Sequence, residues 1–342
     1  MLLSPLALFD YSTAAAIWFG VELVCLLAAV YLLGRALDVK FSVLATCGAA
    51  ALLLVWYPFP LEMAFGQLMM PMLTLLAGSW LALCKDHPIL GGVLIGLAIL
   101  LKPVPWPVLL LFVLWKNWRA LAGAVLVILA GYMAAGLVVG WGTLIRYFIT
   151  VLPLVSRLYR AYVWNISIAS IGWRLFDGTG SSVLEGLVAP PVIHCTTAAS
   201  IVAILLPGLV LLATLVALWK QRSPGVSFGI MMCVSILVSP ISWSHYIVLA
   251  VIPAAQVAHW LVQHHLPSKE TNWALVVAGL LIVEWGRLAT YLAGPRTAVE
   301  GGIMVPFGLA LLTLMPAVAV AALAGLLLFL VQRDSDSFPQ WC

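Results

Sequence analysis

An all-α protein of about eleven hydrophobic helices that crosses a membrane repeatedly is the fold this chain predicts, from its composition and the length of its apolar runs. Hydrophobic residues make up 64% of the 342 and charged residues 8%, at a mean hydropathy of +1.15. Most of the surface therefore has to meet lipid rather than water. A spanning helix needs about 20 mostly apolar residues. Runs of that kind lie near 12–34, 41–57, 63–83, 119–140, 197–219, 225–239, 244–263, 273–293 and 305–331. Segment 88–115 is equally apolar, but Lys102, Pro103, Pro105 and Pro107 cut it at its centre, which predicts two short helices or a re-entrant pair. Residues 1–342 read as a single transmembrane domain with one long loop at 141–196.

Loop charges give an orientation. Arg35 with Lys40, Lys85, Lys116 with Arg119, Lys220 with Arg222, Lys269 and Arg333 fall on one side if each run crosses once, and that side is the cytoplasm. Trp18, Trp56, Trp106, Trp141 and Trp243 then mark the outer interface, with Trp80, Trp115, Trp219, Trp260 and Trp273 at the inner one. The net charge of +4 is spread between apolar runs, so no basic patch supports nucleic-acid binding. Cys25, Cys47, Cys84, Cys195, Cys233 and Cys342 lack metal-ligand spacing and read as buried small hydrophobes.

The 141–196 loop breaks the charge rule, because Arg146, Arg157, Arg160 and Arg174 lie on the outer side. Residues 145–162 form a hydrophobic and basic stretch, which predicts one or two helices in the outer headgroup plane. They serve either as a lipid-facing anchor or as a cationic rim for an anionic lipid-linked substrate. The same orientation puts Met1 to Ser12 outside with no signal peptide before them, so a helix and an outer loop are expected upstream of Met1.

Four polar stretches interrupt the apolar chain. Gln67, in Phe65-Gly66-Gln67, can donate to and accept from a sugar hydroxyl, or bond a neighbouring span. Lys102 before Pro103 puts an ammonium beside a helix break; at bilayer depth a lysine costs roughly 2.5 to 3.5 kcal/mol, so a phosphate partner is favoured over snorkelling. Asn165, Ile166 and Ser167 follow Trp164 and serve a glycosyl group or a helix cap. The run from Ser239 to Tyr246, containing Ser242, Trp243 and His245, places hydroxyl, indole and imidazole groups between two apolar segments. His245 either binds a phosphate, orients a hydroxyl or bonds a carbonyl. The carboxylates Asp10, Glu22, Glu62, Asp177, Glu185, Glu284 and Glu300 carry no motif, and Glu22 or Glu284 is as readily a partner of Arg287 or of a neighbouring span as a reactive group.

Phe65-Gly66-Gln67, Leu101-Lys102-Pro103, Asn165-Ile166-Ser167 and Ser239 to Tyr246, in this order and at these intervals, resemble the family-87 glycosyltransferases. The resemblance implies a GT-C-class enzyme that uses polyprenyl-phosphate sugars, mainly mannose or arabinose, and for this chain a mannosyltransferase-like hexosyltransferase acting on a lipid or glycan acceptor. It implies an inverting displacement outside the bacterial cytoplasmic membrane, with no nucleotide-binding domain; no cofactor or metal is expected. Carried over by position, Lys102 and His245 lie near the donor phosphate while Gln67, Asn165 and Ser242 line the cavity; the reading of the residues themselves adds Trp243, Arg157 and Arg160 to the candidate binding set. Ser244 and Tyr246 stand where many relatives have an acidic residue and a second histidine. The family's base is an aspartate in its first outer loop, a part of the pattern that precedes Met1 and that Asp10 does not match. The catalytic base is therefore unassigned. Two competing readings are a transporter or lipid flippase, to which broken helices also belong but which internal repeats would mark, and an inactive fragment.

Overall fold

The computed structural model describes residues 4–179, 187–219, 223–294, 298–299, 302–304 and 306–333. Lys220, Arg222, Glu185, Glu300 and Cys342, used in the sequence argument, lie outside them. The described chain is a helical bundle. Helix α1 (Tyr11–Ala36) is followed by α2 (Val43–Val55), α3 (Pro58–Ala64), α4 (Met69–Cys84), α5 (Pro88–Leu101), α6 (Val108–Leu114) and α7 (Trp118–Val139). Next come α8 (Trp141–Arg146), a π-helical turn, α9 (Leu152–Tyr159) and α10 (Ala169–Phe176). The last third holds α11 (Thr196–Trp219), α12 (Pro224–Val238), a 3-10 segment Ser244–Ala250, α13 (Val251–Gln263), α14 (Ser268–Ile282), α15 (Trp285–Ala293), α16 (Phe307–Leu312) and α17 (Met315–Arg333). A three-stranded scrap joins β1 (Leu187–Val188), β2 (Ala298–Val299) and β3 (Gly302–Met304), with β3 in the middle.

Five of these helical stretches are long and apolar enough to cross a membrane, or seven if each of two bent pairs counts as one span, and three more apolar helices are shorter. This supports a multi-pass membrane protein, but the expected eleven hydrophobic helices are not confirmed. The bends explain part of the difference. The run at 41–57 and the start of the next form one pair, α2 and α3, bent by 80° at Trp56 and Tyr57 before Pro58; α14 and α15 bend by 60° at Val283 and Glu284. Segment 88–115 resolves as expected into α5 and α6, parted by Lys102 to Pro107.

The core gathers α1, α4, α12, α13 and α17, with Leu26, Met70, Leu73, Met231, Ile252 and Leu327 fully buried. Around it α11 is only 6% buried in its apolar window, so nearly all of its surface needs lipid. Two of the expected interfacial tryptophans are core residues: Trp80 stacks on Phe228 and Trp260 on His264. Their indoles pack inside the bundle, which the belt rule does not foresee because it reads position along the chain and not rotation about the helix. Among the cysteines, Cys233 is buried whereas Cys47 and Cys195 are exposed, for the same reason.

Helices α5 and α7 approach closely because glycines line their contact. A Cβ on Gly92 would fall 1.9 Å from the Ala120 carbonyl oxygen, one on Gly96 2.7 Å from that of Ala124, and one on Gly123 2.7 Å from that of Ile89. The obstacle at Gly92 is backbone, so a side chain can enter only if the helices part. Gly92→Val is expected to cost about 1–3 kcal/mol and to lower the unfolding midpoint of the detergent-solubilised protein by several degrees. Gly48→Ala, where a Cβ meets nothing within 4 Å, should leave the midpoint unchanged.

Candidate active site

The polar stretches meet at the helix breaks. Helix α3 ends in a Schellman turn: Gly66 adopts φ +55, its N–H donates to the Met63 carbonyl, and the Gln67 N–H reaches back to that of Glu62. Glycine is needed there because a Cβ disfavours the left-handed region. The turn delivers Gln67 beside α5 and folds the Glu62 side chain inward, where its Oε1 accepts from the Met69 N–H at the start of α4, 2.5 Å away. Glu62 is fully buried.

Lys102 caps α5 in an extended conformation, as a residue before proline must. Its Nζ donates to Gln67 Oε1 at 2.6 Å and lies 4.8 Å from the centre of the Tyr246 ring. Tyr246, one of the two departures from the resembled motif, thus gives Lys102 an aromatic face. His245 is nearly buried, with Phe65 and Tyr246 edge-on against its ring. Its Nε2 lies 3.8 Å from Glu62 Oε2.

Asn165 and the Ser239–Trp243 turn are interlocked. Asn165 Oδ1 accepts from the N–H groups of Ser242 (2.9 Å) and Ser167 (3.1 Å), while Nδ2 donates to the carbonyls of Pro240 (3.1 Å) and Tyr159 (3.2 Å). The Ile166 N–H adds a 2.7 Å bond to the Ser242 carbonyl. Arg174, fully buried, binds the carbonyls of Tyr162, Val163 and Asn165 and the Thr313 hydroxyl, which fastens the same loop to α16. These bonds answer the need of an irregular buried backbone for partners.

A pocket of about 570 Å³ opens between these pieces. Its walls are mostly aromatic and apolar, from Phe65, Val155, Tyr159, Tyr162, Trp164, Ile241 and Trp243, and its polar groups are Gln67, Ser244, His245 and Glu284. Few convergent polar groups among aromatic walls are usual for a small-molecule site. Trp243 meets Tyr159 and Tyr162 edge-on at 5.1 and 5.6 Å.

The structure sorts the expected site residues. Gln67, Trp243 and His245 line the pocket, and Lys102 stands one hydrogen bond behind Gln67. Asn165 and Ser242, expected on the wall, are fully buried and frame it from behind. Arg157 is exposed on α9. Arg160 is less free than a rim residue should be, since it pairs with Asp177 at 3.0 Å and stacks on Trp173. Glu284 pairs with Arg287 at 3.2 Å, as the sequence allowed. Asp10 caps α1, and hydrogen bonds from Ser12 and Thr13 hold its carboxyl down at about 2. Glu62, Tyr159 and Tyr162 were not singled out by the sequence, and Tyr246 was noted only as a departure from the resembled motif. The one signal for Glu62 was a carboxylate five residues before Gln67 in an otherwise apolar turn.

Replacing Asn165 by alanine removes the acceptor for the Ser242 N–H and leaves buried backbone groups unpaired, at about 1–3 kcal/mol. Amide exchange at Ser242 should quicken by roughly tenfold or more, with α5 and α7 unaffected; unchanged exchange would show that the brace is dispensable.

The model of glycosyltransferase family 87 matches residues 1–240. No curated protein and no solved structure gives a match. That span covers more than two thirds of the chain and takes in the Gln67, Lys102 and Asn165 motifs that converge here. The chain therefore belongs to glycosyltransferase family 87.

Proposed function

We propose that this glycosyltransferase moves a hexose, mannose in the first instance, from a polyprenyl-phosphate donor to a lipid or glycan acceptor on the outer face of a bacterial cytoplasmic membrane. The observation that carries the reading is the ammonium of Lys102 directly behind Gln67, beside a largely apolar pocket. A polyprenyl-phosphate sugar stores its activation in the bond between the anomeric carbon and the phosphate. When an acceptor hydroxyl attacks that carbon, the electron pair of the breaking bond leaves with the phosphate. A cation placed beforehand at that oxygen stabilises the developing charge with little reorganisation. Lys102 is positioned for this role, with Gln67 holding its Nζ and the Tyr246 ring beneath it. The aromatic walls supply a surface for the sugar and for the first isoprene unit. The basic loops Arg35 with Lys40, Lys85 and Lys116 with Arg119 favour a cytoplasmic side opposite the pocket. Arg157, exposed on the helix that lends Val155 and Tyr159 to the wall, suits an incoming anionic headgroup.

The test is transfer of labelled mannose from polyprenyl-phosphate mannose by membranes containing the full chain, with nucleotide-linked mannose in a parallel arm. Product from the first donor alone is expected. Lys102→Ala should reduce it roughly 100-fold or more at equal protein level. Equal transfer by the variant would remove Lys102 from the site, and product from the nucleotide donor alone would overturn the choice of donor.

A further inference from the structure

The end of α1 remote from the pocket carries a second cavity, and this one is cationic. Trp18 lies against the Gly66 turn, its Cδ1 3.8 Å from where a Cβ on that glycine would stand. From Trp18 to Arg35 the same helix rises about 25 Å, which carries Arg35 to the opposite end of the span. There α1 ends in its own Schellman turn: Asp38 takes φ +54, its N–H donates to the Arg35 carbonyl, and the Val39 N–H donates to that of Gly34. The turn sends Lys40 and Phe41 back over the helix end. The Phe41 ring rests on Gly34, where a Cβ would stand 2.7 Å from it.

A cavity of about 320 Å³ results, lined by Tyr31, Arg35, Asp38, Val39, Lys40 and Phe41, with the charged groups at its mouth. Arg35 Nη1 donates to the Tyr31 hydroxyl at 2.9 Å, which fixes the guanidinium and leaves the phenol proton and the other guanidinium N–H groups for a guest. Among the described residues neither Arg35 nor Lys40 has an ion-pair carboxylate, Asp38 included. Two cations against one carboxylate suit a phosphate.

Phe41 is also a wall of an apolar groove of about 380 Å³, which has α1 and α2 on one side and α13 and α14 on the other. Leu33, Leu37, Leu53, Ala254 and Ala258 line it. Trp56, at the opposite end of α2 from Phe41, lines it too, with its indole N–H bonded to the Leu281 carbonyl at 2.9 Å. The 13 residues of α2 make it about 20 Å long. A groove beside it can take a chain that reaches through one leaflet, about 15 Å of hydrocarbon. A cationic cavity that shares a wall with an apolar groove fits an amphiphile: a free anion would use only the first, and an uncharged lipid only the second.

We propose that this end of the molecule binds an anionic phospholipid, its phosphate held by Arg35, Lys40 and the Tyr31 hydroxyl and an acyl chain laid over Phe41 into the groove. The short basic loops favour this side as the cytoplasmic one, so the lipid belongs to the inner leaflet, where anionic headgroups gather. The site is separate from the donor pocket and does not depend on the transfer reading.

The experiment is native mass spectrometry of the full chain, delipidated in detergent and offered equimolar phosphatidylglycerol and phosphatidylcholine with identical acyl chains. Retention of phosphatidylglycerol is expected to exceed that of phosphatidylcholine roughly tenfold or more. Phosphatidylglycerol should also raise the unfolding midpoint, and inorganic phosphate should not. Arg35→Gln with Lys40→Gln should erase the preference without changing the midpoint of the lipid-free chain, whereas Lys85→Gln with Arg119→Gln, outside this cavity, should keep it. Lys40→Gln alone, beyond the helix end, should weaken the preference severalfold, which keeps the test decisive if the double exchange misfolds. Equal retention of the two lipids, or a preference that survives the exchanges at Arg35 and Lys40, would overturn the site. A midpoint raised as much by inorganic phosphate as by phosphatidylglycerol would overturn the assignment to a lipid.

Discussion

A lysine that ends a helix among apolar residues must be solvated by the protein itself, and this constraint organises the bundle around it. Lys102 cannot carry its charge inward unless other groups take over the work of water. Gln67 offers a carbonyl oxygen and Tyr246 a ring face, and each comes from a different break in the helical pattern. The breaks are thereby coupled. The Schellman turn at Gly66 matters because it brings Gln67 to the ammonium, and the 3-10 segment after Trp243 matters because it brings Tyr246.

Irregular backbone inside a membrane protein survives only where it is fully bonded. Here the bonding comes from side chains. Asn165 satisfies backbone groups on both its own loop and the Ser239–Trp243 turn, and Arg174 gathers three carbonyls of the same loop and reaches α16. Among the described residues no carboxylate pairs with Arg174, and carbonyl dipoles do the work instead. The loop is consequently cross-braced to its neighbours, although it contains little regular structure.

Much of this was legible as punctuation. Proline, glycine and clustered polar residues in an apolar chain marked Gln67, Lys102 and the Ser239–Tyr246 run; Gln67 and that run reach the pocket, and Lys102 stands behind Gln67. What pattern could not supply was rotation and partner. Trp80 and Trp260 sit at plausible interfacial depths yet turn inward, and Arg160 is held by Asp177 from a neighbouring turn. Asn165 and Ser242 looked like lining because their polar atoms were unassigned; the backbone uses those of Asn165. Glu62 was invisible because a single acidic residue has no period or spacing. The helix count departed from expectation because apolar content does not reveal an 80° bend.

The parts that hold the pocket in shape and the parts that form its surface are different residues. Asn165, Arg174 and Gly66 are committed to backbone bonds and turn geometry, whereas Val155, Tyr162 and Ile241 contribute mainly bulk to the wall. On the proposed reading of the pocket, substrate choice can drift by exchanging a few wall side chains while the scaffold beneath stays constant, so that one architecture serves many sugars and recipients.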